Sequence, residues 1–116
     1  MKVLPLIAFL FLSFSSAAQE KFIVKSKIYL NKCLIGSPTL ETKEGNVAFV
    51  SVSDVYYFQI ILERQENNEV KIDSDIMVDG NRFEQLVTSK LGEVVLIELE
   101  NVLLEMKVQE FSKVNH

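Results

Sequence analysis

The sequence predicts an all-β protein, a small antiparallel β-sandwich of about eight strands. Three observations lead to this fold. Apolar and polar residues alternate along several segments, turn-forming residues separate these segments, and nothing after the first eighteen residues shows the 3.6-residue period of a helix. Because the connections are too short for helical crossovers, neighbouring strands are expected to run antiparallel.

The first eighteen residues are typical of a secretory signal peptide. Lys2 supplies a positive charge, an apolar run extends from Val3 to Phe14, and small residues end at Ala18. The run is shorter than the roughly 20 apolar residues that a membrane-spanning helix needs, and no later segment is long enough either. We therefore expect export with removal of residues 1–18, and a single periplasmic or secreted domain over 19–116.

The predicted strands follow from alternation and from the breakers between them. In the first strand Phe22, Val24 and Ile28 share one face while lysines take the other, and the fifth strand repeats this pattern from Val70 to Val78. Turn-forming groups stand at 36–38, 44–46, 67–68, 79–81 and 91–92. The predicted strands are 22–31, 39–43, 47–52, 55–64, 69–78, 82–89, 93–99 and 102–110.

Two similar segments, at about 37–63 and 84–110, predict an internal repeat of one meander unit. When Gly45 is aligned with Gly92, Val55 falls on Val102 and Asp54 falls near-equivalently on Asn101. Each copy is a strand, a Gly turn, a strand, an Asp or Asn turn, and a strand. One copy alone would leave its apolar face uncovered, so two copies are expected to bury their faces against each other as two layers.

The third strand of the first copy is apolar on both sides, because Tyr57 and Ile61 stand opposite an aromatic and aliphatic row. Two alternatives explain this. Either the strand is central and covered on both faces, or it exposes the row to a partner protein. The second alternative gives the candidate partner-binding residues, which are Tyr56, Phe58, Ile60 and Leu62.

Residues 37–50 carry the pattern Pro-x-Leu-x-Thr-x-x-Gly-x-x-Ala, from Pro38 to Ala48. This segment resembles one found in bacterial secretins, the outer-membrane secretion channels, and in small exported proteins that carry such paired hairpins alone. The resemblance covers about Ser37 to Val78, with a weaker match from Leu86. It implies a bacterial envelope setting and a β-rich fold. The chain is too short for a channel subunit and lacks the Gly expected after Val52, so no channel activity or functional residue is carried over.

The composition offers little for catalysis or cofactor binding. With 12 basic against 16 acidic residues, the chain is not a general nucleic-acid binder. The single histidine is the terminal His116, so neither a nucleophilic set nor a zinc site is expected, and we predict no enzyme activity and no cofactor. The acidic pairs Asp73/Asp75 and Glu98/Glu100 are expected to face water.

The single cysteine, Cys33, leaves two interpretations open. In an exported protein it could form an intermolecular disulfide. It could equally be a small buried apolar residue, which is the interpretation we favour.

Three functions follow from this sequence. The leading hypothesis is a non-catalytic module that binds another envelope protein, which the export signal, the absent catalytic set and the aromatic strand favour. The alternative is a carrier that holds a small apolar ligand between its two sheets, which would require a cavity in a small core. The third is a hydrolase that uses the paired carboxylates.

Overall fold

The computed structural model describes residues 21–111, so the predicted signal peptide and His116 lie outside the described residues. Within that range the chain is all-β, with no helix and therefore none able to cross a membrane. The nine strands are β1 (Lys21–Leu30), β2 (Cys33–Gly36), β3 (Thr39–Lys43), β4 (Val47–Val52), β5 (Tyr56–Arg64), β6 (Glu69–Val78), β7 (Asn81–Lys90), β8 (Val94–Leu99) and β9 (Val102–Phe111).

The strands form two antiparallel sheets, which confirms the predicted fold class. In the first sheet the order is β2-β1-β9-β8, with β3 also paired to β1, and in the second sheet it is β4-β5-β6-β7. Eight of the strands match the predicted segments to within a residue at each end. The ninth, β2, was missed because Gly36 and Pro38 suggested a turn where the chain is still extended.

Strands β2 and β3 act as one interrupted edge strand beside β1. β3 pairs with the first half of β1 and β2 with the second half, and the register shifts by a bulge at Ile28/Tyr29. The interruption falls at Ser37 and Pro38, and proline is tolerated there because an edge strand leaves one side of its backbone unpaired.

The core lies between the two sheets and is built by alternate residues of the long strands. The inward residues of β1, β5, β6 and β9 are buried while their neighbours face outward. Together they form one hydrophobic cluster. Its fully buried large side chains are Phe22, Ile28, Phe58, Ile60, Leu62, Ile72, Ile76, Leu104 and Met106.

The two halves of the chain share their strand order and their corner geometry. The order β1, β2/β3, β4, β5 is followed by β6, β7, β8, β9, and the chain passes from one sheet to the other after β3 and again after β7. At these corners the amide of Gly45 donates to the Leu62 carbonyl at 2.9 Å, and the amide of Gly92 donates to the Val108 carbonyl at 2.8 Å. These matched contacts are consistent with the predicted repeat.

The register changes one detail of the proposed alignment. Tyr56 pairs with Val78 at the end of β6, and Val102 pairs with Leu30 at the matching end of β1. Tyr56 therefore corresponds to Val102, whereas the sequence alignment placed Val55 there. The one-residue difference arises because three residues join β4 to β5 and only two join β8 to β9.

Candidate interaction surface

The row predicted to bind a partner lies in the core, so that assignment is wrong. Phe58, Ile60 and Leu62 have no exposed surface, and Tyr56 is also buried. The reason is that β5 lies between β4 and β6, and its alternation directs these side chains towards the first sheet. A charged substitution such as Phe58→Glu would bury an unpaired carboxylate and unfold the domain rather than report on binding.

The opposite face of β5 belongs to an exposed apolar surface that spans three strands of the second sheet. The register sets Ile61 beside Val47 and sets Tyr57 between Ser51 and Met77. Phe49 is 60% exposed, and its ring centroid lies 5.9 Å from that of Tyr57. We call this surface the outer patch, and its members are Val47, Phe49, Tyr57, Ile61 and Met77.

The two aromatic rings give the outer patch its shape. A centroid distance of 5.9 Å and an interplanar angle of 32° place Phe49 and Tyr57 within the range of favourable aromatic contacts. The Tyr57 hydroxyl donates to Oε1 of Gln59 at 2.6 Å, which fixes the ring on the sheet surface. The patch therefore holds an aromatic pair at the sheet surface, in which Phe49 is exposed and Tyr57 is half-buried.

Charged side chains border the outer patch on β6 and β7. The Arg82 guanidinium donates to both carboxylate oxygens of Asp75, at 3.0 and 2.8 Å, and also to Glu84 at 2.7 Å. The hydrogen bond and the charge of Asp75 raise the pKa of Arg82. An apolar centre beside a polar border is the usual anatomy of a protein interface.

The acidic pairs considered for hydrolysis do not converge. Asp73 is exposed on the outer face of β6, and Asp75 on the same face is held by Arg82. Glu98 is exposed on β8, whereas Glu100 lies in the turn that follows with a φ of 55°. Among residues 21–111 no cluster of three metal-ligating side chains occurs.

Strand β4 carries Val47 and Phe49 of the outer patch and is an edge of the second sheet. Among the described strands it pairs with β5 alone, and its six residues Val-Ala-Phe-Val-Ser-Val include no charge, proline or glycine. The other edges carry the features that protect an edge strand from pairing. Pro38 and a bulge interrupt β2/β3, Arg82 and Glu84 lie on β7, and Glu98 lies on β8.

Two open clefts lie at matching ends of the two halves. One, of about 410 Å³, is lined by Tyr57, Met77 and Asp79 among others and adjoins the outer patch. The other, of about 570 Å³, is lined by residues that include Tyr29 and Glu98. Turn and outer-face residues form most of the lining of both clefts, together with the buried Tyr56 in one and Val102 in the other. The other inward side chains pack together as the core, so neither cleft is the space between the sheets that a ligand carrier would use.

Cys33 is exposed at the start of β2, whereas we favoured a buried position. The sequence placed it just past the end of a strand. In the structure it opens the short strand β2 after the turn at Asn31 and Lys32, both of which have positive φ. Its thiol is therefore at the surface, as intermolecular disulfide formation would require.

No family model, curated protein or solved structure matches this chain. The outer patch was only partly visible in the sequence. The sequence marks Tyr57 and Ile61 as the second apolar face of their strand, but it does not single out Phe49 or Val47. The signal that could have found them is the absence of any charge between Val47 and Val52.

Proposed function

We propose that this protein is an exported, non-catalytic interaction module of the bacterial cell envelope, and that it binds another protein through the outer patch and the adjoining edge of β4. The observation that carries the proposal is the continuity of these two features. An aromatic pair and three other apolar side chains, of which Val47, Phe49 and Met77 are exposed and Tyr57 and Ile61 are half-buried, lie on and beside an uncharged strand that pairs with β5 alone among the described strands. A partner can therefore contact side chains and backbone at one place.

Both parts of this surface match known modes of protein recognition. A free strand edge offers backbone donors and acceptors to an added strand, while neighbouring side chains supply specificity. Contiguous apolar surface with a polar border marks interaction sites on soluble proteins. The signal-like N-terminus and the secretin-like pattern from Pro38 to Ala48, which ends within β4, support the envelope setting of this proposal.

The test is a comparison of two matched substitutions in intact cells. Phe49→Glu places a charge in the outer patch. Leu96→Glu places the same charge on β8, at the position that corresponds to Phe49, where the residue is 61% exposed compared with 60% for Phe49. Tagged full-length protein is crosslinked in cells, purified, and its partners are identified by mass spectrometry.

We expect one dominant envelope protein to be captured by the unsubstituted chain and by Leu96→Glu, and to be lost with Phe49→Glu. Circular dichroism and thermal unfolding should be nearly unchanged for both variants, because exposed substitutions usually change stability by only about 0.5 kcal/mol. Equal capture by both variants would contradict the assignment of the outer patch. Capture of no partner by the unsubstituted chain would contradict the interaction function itself.

A further inference from the structure

We infer that β4 also pairs with β4 of a second copy of this chain, so that two second sheets join into one continuous antiparallel sheet. This inference rests on the surface described under the proposed function: a second copy and the envelope protein would occupy the same edge of β4 in turn. The strand order β4-β5-β6-β7 places β4 at the outer edge of each sheet. A twofold axis between two such edges would pair the two β4 strands with each other, so that neither β4 edge would remain unpaired.

The chemistry of β4 selects the kind of strand that can pair with it. Its free side presents backbone N–H and C=O groups, so the occupant must be an extended strand that supplies the complementary groups. Val47 to Val52 contain no charged residue, and a charged strand laid against them would lose hydration without gaining an ion pair. β4 of a second copy is an extended, uncharged strand of equal length.

The register of this pairing follows from which residues face outward. A twofold axis perpendicular to the sheet keeps both outer faces on the same side, so an outward residue must stand opposite an outward residue. The outward residues Val47, Phe49 and Ser51 are symmetric about Phe49. Centring the pair there sets Phe49 opposite its own copy and sets Val47 opposite Ser51. Centring it on Val50 would leave the outward Val47 opposite Ser53, outside the strand, whereas centring it on Phe49 leaves only the inward Val52 opposite a residue outside the strand, Asn46.

This register also joins the two outer patches. Phe49 of each copy already contacts Tyr57 on the neighbouring strand, with centroids 5.9 Å apart. Placing the two Phe49 side chains opposite each other creates a cross-strand aromatic pair, one of the favourable pairs in antiparallel sheets. The result is a row of four rings that crosses the twofold axis, with the β6 and β7 charges outside it.

The corresponding strand β8 is the natural comparison, because it is also an edge and its Leu96 is exposed to the same extent as Phe49. Centring an equivalent β8 pair on Leu96 would set Glu98 opposite Val94 on the outer face. That arrangement would partly desolvate the Glu98 carboxylate beside an aliphatic side chain, and the outward Lys107, which pairs with Val94, would lie one strand farther away. The uncharged β4 is therefore better suited to self-pairing than β8.

The test measures whether position 49 of one copy lies close to position 49 of a second copy. In a Cys33→Ser background, Phe49→Cys and Leu96→Cys provide one thiol each at matched edges, and a short bismaleimide crosslinker reports which thiols approach each other. We expect Phe49→Cys to give mainly crosslinked dimer and Leu96→Cys to stay mainly monomeric. Equal crosslinking of the two variants at the same protein concentration would overturn the β4 pairing.

A second measurement keeps the aromatic side chain in place. Analytical ultracentrifugation of the unsubstituted protein should show a concentration-dependent dimer, and Ser51→Lys should weaken it at least tenfold by placing an ammonium opposite Val47. Glu98→Lys, the corresponding change on β8, should leave the association constant unchanged. A strict monomer at all concentrations would refute the pairing. If that monomer still captured an envelope protein in cells, the proposed function would stand without it, whereas a dimer that captured none would support the pairing and contradict the proposed function.

Discussion

The two halves of this chain, 21–64 and 69–111, resemble each other inside and differ outside. Inside, Ser26 on β1 and Ser74 on β6 are both buried, and their hydroxyls donate to the carbonyls of Pro38, between β2 and β3, and of Gln85 on β7. Outside, these two serines have different neighbours. Lysines 25 and 27 flank Ser26, and aspartates 73 and 75 flank Ser74. Residues that face the core are constrained by packing, while outward residues are free to carry different charges.

The two halves differ in the size of the side chains at some corresponding inward positions. Gly36 and Phe83 occupy corresponding inward positions, since they pair with Ile28 and Ile76 in the two halves. Tyr56 and Val102 correspond in the same way. The first half therefore combines a very small residue with a large one, and the second half combines a large residue with a smaller one. Alternating large and small side chains fill a core at constant density.

The largest loss of stability is expected for substitutions of corresponding core residues in the two halves. Phe58 and Leu104 hold corresponding positions on β5 and β9 and both are fully buried. Phe58→Ala should cost about 3–5 kcal/mol and Leu104→Ala about 2–5 kcal/mol, because each leaves a cavity. Urea unfolding followed by circular dichroism measures both. A cost below about 1 kcal/mol for Phe58→Ala would show that Phe58 is not a core residue and would reopen its role as a contact.

The next-largest effect is expected at Gly36, where the missing side chain leaves room for Tyr56. A Cβ at Gly36 would lie 2.4 Å from the ring of Tyr56, which is itself buried. Gly36→Ala should therefore cost about 1–3 kcal/mol through overpacking. The same substitution in a Tyr56→Val background, which introduces the side chain found at the corresponding Val102, should cost clearly less.

A double-mutant cycle over Gly36 and Tyr56 measures that coupling directly from four unfolding curves. A coupling energy indistinguishable from zero would mean that the close approach is relieved elsewhere. In that case the small residue at position 36 would not compensate for the large residue at position 56.

A smaller effect tests the two corners. Gly45 and Gly92 have φ values of 83° and 86°, and a Cβ at either would meet nothing within 4 Å. Alanine at each position should cost about 1–2 kcal/mol, because the left-handed backbone alone is strained. The two costs should be equal within error in thermal or urea unfolding. A difference of more than about 1 kcal/mol would show that the corners are not equivalent in energy, despite their matched hydrogen bonds.

Much of the fold could be predicted because the period of two survives in the long strands. β1 and β6 alternate without interruption, and so their buried rows from Phe22 and from Val70 follow directly from the sequence. β2 could not be predicted, because Gly36 signalled a turn while its real role is to leave room for Tyr56.

The candidate site was predicted less well, for a different physical reason. A strand that is apolar on both faces, such as β5, does not reveal which face is inward. The choice depends on β4 and β6, which flank β5 in the sheet. The sequence identified the right strand and the wrong side of it, so Tyr57 and Ile61 belong to the surface while Phe58 and Ile60 belong to the core.

The smallest effect is expected at the two buried serines, which hold corresponding positions in the two halves. The Ser26 hydroxyl donates to the Pro38 carbonyl at 2.7 Å, whereas the Ser74 hydroxyl lies 3.4 Å from the Gln85 carbonyl. Ser26→Ala should cost about 0.5–1.5 kcal/mol, since a net hydrogen bond is worth about that much, and the longer contact of Ser74 should make Ser74→Ala less costly. The Pro38 carbonyl would keep one donor, the Ser26 amide at 3.0 Å, and for that reason the loss stays small.

Urea unfolding of both variants, with the exposed Ser51→Ala as a control for the loss of a hydroxyl, gives the order of the three costs. If Ser74→Ala proved the more damaging substitution, hydrogen-bond length would not be what distinguishes the two sites. Their difference would then reflect the outer surroundings, where aspartates flank Ser74 and lysines flank Ser26, and the separation between a shared interior and a divergent surface would fail at this point.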